Sequence, residues 1–106
     1  MSDIFSKLDT LSEEYAEAQS TVEYLEEFKK SKLALLMKEA EIKGHNTAAA
    51  QEREARSSKE YLELLDGLRV ATEQAIRAKW ALKKFEMEFE RWRTKESTKR
   101  AEMNLR

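Results

Sequence analysis

From Tyr61 to Trp92 the apolar residues follow one another at alternating steps of three and four: Tyr61, Leu64, Leu68, Ala71, Ala75, Ala78, Leu82, Phe85, Phe89 and Trp92. A period of seven without a miss belongs to a helix that lays one side along another helix, and a strand, with its period of two, cannot produce it. Leu62, Leu65, Ile76 and Trp80 widen the stripe beyond the seam, and so broad an apolar face expects more than one neighbour. An earlier seam has the same spacing: Ile4, Leu8, Leu11, Tyr15, Ala18, Val22 and Leu25. It then loosens into Phe28, Leu33, Leu36 and Ala40, which suits an ordinary helix of period 3.6.

Between the seams stands "EIKGHNTAAA", residues 41–50, with one of the chain's two glycines and its one histidine; there is no proline anywhere. Gly44 suits the left-handed conformation that ends a helix, and Lys43 lies near the negative end of the dipole. Asn46 or Thr47 caps the next helix through a side-chain oxygen, and Ala48, Ala49 and Ala50 carry it forward. A later start is also open, because Ser57 and Glu60 have capping-box spacing. The sequence therefore predicts one all-α domain over residues 1–106: a helix over about 3–43, a turn at 44–47 and a second helix over about 48–103.

Folding the chain at that turn into a long antiparallel helical hairpin, coiled-coil-like, sets positions summing to about 91 opposite each other. Ile4, Leu8 and Leu11 then face Leu82, Phe85 and Phe89, and Tyr15 and Ala18 face Ala71, Ala75 and Ala78. Charge agrees with the fold-back. Residues 1–28 hold eight acidic side chains and one basic one, a net of −7, and the stretch opposite their start carries Arg77, Lys79, Lys83 and Lys84. Two helices about 60 Å long share one stripe and leave much apolar surface wet. Pairing of two copies into a dimeric four-helix bundle is the simplest remedy, so a homodimer is expected.

Composition excludes several kinds of function. The chain has no cysteine, which removes disulfides, thiol catalysis and Cys-ligated zinc. Its net charge of −1 supplies no bulk attraction to nucleic acid or anionic lipid. The start, "MSDIFSKLDT", lacks a basic segment followed by an apolar run, and the longest apolar stretch, "LALLM" at 33–37, is far too short to span a bilayer. The expectation is a cytoplasmic protein without a membrane partner.

His45 is the first candidate for chemistry. A general base needs a partner and a metal site needs several ligands, and Glu39 and Glu41 are the nearest carboxylates in sequence. No Glu-x-x-His pair of the di-iron bundles is present, and the acidic residues fall mostly off the seams, as solvated helix faces do. His45 reads as a turn histidine. No phosphate-binding loop and no nucleophile with an evident base occurs. The expectation is a non-enzymatic protein with no catalytic, cofactor or metal residues. Gly67, within the second seam, reads as a place for close helix approach or a local bend.

The end of the chain is different. Residues 91–106 carry Arg91, Arg93, Lys95, Lys99, Arg100 and Arg106 against Glu96 and Glu102, six minus two, or +4. In the hairpin register this segment overhangs the first helix. Arg91, Trp92, Arg93, Lys95, Lys99 and Arg100 are the candidate contact residues, for a protein partner or for single-stranded nucleic acid held by phosphate contacts and base stacking. The competing reading places the cations at the negative end of a helix and Trp92, the last member of the seam, in the dimer core.

The second half of the chain also carries a resemblance. "GHNTAAAQEREARSSKEY" followed by "AKWALKKFEMEFERWRTKESTKRAEM" is similar to short, charged, all-helical proteins of tailed bacteriophages, often encoded among early genes for DNA replication and recombination. The likeness covers about residues 40–103, and its most particular part runs from Ala78 to Trp92 and Arg93. It implies a helical fold, a phage origin and the host cytoplasm as the place of action, and no catalytic residues. The function expected is an oligomerising helical protein that binds another macromolecule, as an accessory of phage DNA metabolism or a modulator of a host protein.

Overall fold

The computed structural model describes residues 2–105, and every regular element among them is a helix: α1 (Ser2–Ile42), α2 (Ala48–Arg56) and α3 (Lys59–Asn104). The molecule measures 86 × 22 × 16 Å. Its radius of gyration is 23.9 Å, against about 13 Å for a compact chain of this length. Such a rod has few interior positions, so its geometry is set by how helices end and where they touch.

α1 ends at Gly44. The Gly44 N–H donates to Glu41 O and the His45 N–H to Ala40 O, each at 3.1 Å, while Gly44 takes φ +111°. These two bonds close the last orphan carbonyls of α1 in the Schellman pattern, which needs a residue free of a Cβ. Thr47 provides the next cap: its side chain accepts the Ala50 N–H at 3.1 Å.

The expected second helix over 48–103 is in fact two. Ser57 Oγ donates to Arg53 O at 2.8 Å, and Ser58 Oγ donates to Ala55 O at 2.7 Å and accepts the Tyr61 N–H at 3.2 Å. Adjacent serine hydroxyls thus offer the backbone partners outside the helical ladder, and Ser58 adopts the extended conformation of an N-cap. The capping-box start expected at Ser57 and Glu60 falls one residue later, at Ser58 and Tyr61.

The break lets α2 lean on the end of α1 while α3 lies along α1. Leu36, Ala55 and Tyr61 form the core of the junction, with Leu33 and Met37 packed on it; Ala55 is only 1 % exposed. Lys32 Nζ meets Glu60 Oε2 at 2.9 Å, and Lys7 Nζ sits 5.6 Å from the centre of the Phe85 ring. Both pairs sum to 92. The hydrogen bond to Glu60, and then its charge, hold the Lys32 ammonium above its ordinary range; the same bond and charge hold the Glu60 carboxyl below its own.

Along the seams Leu68, Ala71 and Ala75 are buried, and Ile4, Leu8, Leu11, Tyr15, Ala18, Val22, Leu25, Leu64, Ala78, Leu82, Phe85 and Phe89 are half-buried. Two expectations fail, at Phe28 and at Gly67. Phe28 is exposed and stacks on Tyr24, with ring centres 6.0 Å apart. Two successive steps of three, from Val22 through Leu25, leave Phe28 about 120° round the helix from Val22. Trp92, expected in the dimer core, is 47 % exposed in the single chain. Gly67 permits no close approach, since a methyl there would meet nothing within 4 Å.

Candidate interaction surface

α1 covers the seam of α3 and no more. Leu62, Leu65, Ile76, Trp80 and Met87 all stay exposed, Trp80 by 60 % and Met87 by 69 %. Leu65, Ile76, Trp80 and Met87 line two shallow grooves in succession, and Leu62 lines a third with Lys59, Glu63 and Asp66. The first is walled by Glu26 of α1 with Leu65, Leu68, Thr72 and Ile76; the second by Trp80, Lys84, Met87, Glu88 and Arg91. Lys83 Nζ lies 5.0 Å from the Trp80 ring centre, so the edge of this apolar strip is cationic. Met87 is the member that the seam analysis missed. Its signal was available, since it stands seven residues after Trp80.

The six candidate contact residues lie on a continuous stretch of α3, and every described residue from Arg91 to Leu105 is exposed except half-buried Glu96. They do not form one patch. Arg91, Lys95 and Lys99, four apart, share one side of the helix; Arg93 and Arg100, seven apart, share another. Arg100 and Arg93 line a polar groove with Thr94, Ser97 and Thr98, and Arg93 also reaches Glu90 at 3.6 Å. Trp92 stacks on Phe89, ring centres 5.9 Å apart, with its outer face free. Among the described residues, Arg93 alone of the six makes an ion pair.

The acidic half of α1 is similarly unengaged. Of its eight carboxylates, only that of Glu27 is in an ion pair among the described residues, with Lys30 on its own helix. Arg77, expected to answer that charge from α3, instead pairs with Glu73 at 2.9 Å. The acidic half of α1 therefore makes no ion pair with α3 among the described residues, and its charge acts on α3 only through the longer-range field.

His45 is absorbed by the turn. Its N–H is used by Ala40, its carbonyl accepts from Gln51 Nε2 at 3.0 Å, and its ring Nε2 stands 3.8 Å from Glu54 Oε2. One carboxylate at that distance positions an imidazole at a surface and makes neither a relay nor a metal site. Among the described residues no group of three or more His, Cys, Asp or Glu is placed to hold a metal ion, and no helix is long and apolar enough to cross a membrane. No protein-family model, no curated protein and no solved structure matches this chain.

Proposed function

We propose that this chain is a long antiparallel helical hairpin that pairs with a second copy into a dimeric four-helix bundle, and that the assembly is a non-enzymatic scaffold for another macromolecule. One observation carries the reading: Leu62, Leu65, Ile76, Trp80 and Met87 stay exposed on the same helix whose seam is covered. An apolar strip of this length on a rod marks an association face. The Lys32–Glu60 and Lys7–Phe85 contacts, both summing to 92, support the hairpin. Light scattering at micromolar concentration tests the pairing. A dimer has twice the 12.4 kDa chain mass; a compact monomer at every accessible concentration defeats it.

The likeness to tailed-phage proteins gives the scaffold a setting in the host cytoplasm, as an accessory of phage DNA metabolism or a modulator of a host protein. A protein partner recovered with the chain after nuclease treatment favours that role. A second reading has its own support, the free face of Trp92 beside Arg91, Lys95 and Lys99. In it the basic end of α3 grips single-stranded nucleic acid. Lys99→Ala with Arg100→Ala then weakens binding and flattens its salt dependence by roughly 0.7 in slope per lost phosphate contact. Absence of any shift with single-stranded DNA or RNA at low salt ends this reading.

A further inference from the structure

Three exposed apolar residues of α3 and its C-cap residue Leu105, which keeps a right-handed helical conformation, lie in one line. Leu62 and Trp80 are 18 residues apart, Trp80 and Met87 seven, and Met87 and Leu105 again 18. Eighteen residues make about five full turns and seven about two, so all four project from the same side of the helix. Arg69 and Thr98 fall on the same line, each seven residues inside an end. The spacing reads the same in both directions. A line of that kind is complementary to itself when a second helix runs the opposite way, which is the requirement of a two-fold interface.

We infer that a second copy of this chain docks on this line, with the two-fold axis between Trp80 and Met87, so that residues summing to 167 meet across it. Trp80 of each chain meets Met87 of the other, and Leu62 meets Leu105. This rests on the dimeric reading above and names its register. The exposed strip left by α1 is covered along its whole length, including the part of α3 beyond Arg91.

Charge selects this occupant. Residues 91–105 carry Arg91, Arg93, Lys95, Lys99 and Arg100 against Glu96 and Glu102, five minus two, or +3. In this register they return beside residues 62–76 of the other copy, where Glu63, Asp66 and Glu73 stand against Arg69, a net of −2. Next to those, at the level set by the Lys32–Glu60 pair, lies the part of α1 with Glu17, Glu23, Glu26 and Glu27 against Lys29 and Lys30, four minus two, a net of −2. Glu26 already lines the groove of Leu65 and Ile76. Within one chain the basic stretch points away from these carboxylates; only a reversed copy brings the two together. Each dimer repeats the contact twice, and neither half of it is spent on ion pairs between α1 and α3 in the single chain.

The chain has no cysteine of its own, so engineered ones report the register. Arg69→Cys and Thr98→Cys sum to 167 and spare the four apolar residues. Under mild oxidation a mixture of the two variants should give a disulfide-linked dimer of one copy of each, at least about ten-fold over either variant alone. In this register identical cysteines lie 29 residues, about 43 Å, apart along the rod. Trp80→Glu with Met87→Glu should leave helical circular dichroism unchanged and reduce the mass to that of one chain. A dimer by light scattering that gives no mixed cross-link, or that links Arg69→Cys to itself, overturns the register while the dimeric reading stands. A wild-type monomer at every concentration overturns both, and one that then binds a single-stranded oligonucleotide transfers the strip to nucleic acid.

Discussion

The two ends of the rod bury their apolar residues unequally. Near the turn, Leu36, Ala40, Ala55 and Tyr61 are buried, and two of these are alanines. Toward the other end, Leu82, Phe85 and Phe89 continue the seam with larger side chains and are only half-buried. The difference is the number of neighbours. Ser57 and Ser58 break the chain so that α2 closes over the junction of α1 and α3. Farther along, two helices face each other alone, and a cylinder in contact with one other cylinder keeps most of its circumference wet. Burial therefore follows helix count and residue size together: large side chains are covered where the third helix closes in, only Leu68 and the small Ala71 and Ala75 are covered between two helices, and the poorly covered end carries Trp80, Met87 and Trp92.

The largest effect should come from truncating one apolar side chain at each end of the rod. Leu36→Ala at the turn end should cost about 2–5 kcal/mol in chemical denaturation. Phe85→Ala, although it removes more atoms, should cost the single chain about 1–2 kcal/mol, because half of the ring is already in water. Equal costs at the two ends would break the comparison. An added cost for Phe85→Ala that grows with protein concentration would sharpen it, since the far end then draws stability from association.

Gly44→Val comes next. A β-branched residue at φ +111° is strained, and the turn end should lose about 1–3 kcal/mol. His45→Ala, one position on, should leave the melting temperature nearly unchanged, because the histidine's turn bonds are made by its backbone. A large loss from His45→Ala with the helices intact would return that residue to the candidate sites. Ser58→Ala should cost about 1 kcal/mol by freeing the Tyr61 N–H. Hydrogen exchange should show the loss confined to the α2–α3 junction and absent at Phe85.

The smallest effect is electrostatic. Glu60 is held below the ordinary carboxylate range by Lys32, so its contribution is present near neutral pH and disappears as pH falls through its lowered value. Lys32 is raised by the same contact, so its contribution holds below the ordinary ammonium range and disappears as pH rises through the raised value. Melting of wild type against Glu60→Gln should therefore differ near neutral pH and converge in acid, once pH has fallen through the lowered Glu60 range. A difference that persists in acid would assign the effect to packing of the side chain stem.

Most of the helical layout was legible in the residues. Gly44 and Thr47 end and restart the helix where their chemistry allows, and Leu36, Ala40, Tyr61, Leu68, Ala71 and Ala75 are covered as their spacing predicts. The break was legible only as a possible later start at Ser57 with Glu60, one residue before the N-cap Ser58. Ser58 Oγ accepts the Tyr61 N–H while Ser57 Oγ donates back to Arg53 O, and both serines are compatible with either role from spacing alone. Phe28 was misplaced because hydrophobicity was read without angle. The basic end of α3 was plain as charge, and its division into Arg91, Lys95 and Lys99 on one side and Arg93 and Arg100 on another follows from spacing. That Trp92 faces solvent in the single chain did not follow, because a seam position says which way a side chain points and not whether anything meets it.

The sequence by itself determined the helical class, the seams and the stop and restart at Gly44 and Thr47, and left the break before Ser58 as one of two choices. Periodicity, propensity and capping act within a turn or two of the backbone, so the residues concerned carry their own instructions. Only the tertiary structure decided which part of the wide apolar face of α3 is covered and which is left. Leu64 and Leu65 are neighbours of one chemical type, and α1 shelters the first more than the second. Coverage depends on the position of a second helix in space, and one narrow cylinder packed on another can close a stripe but not a face.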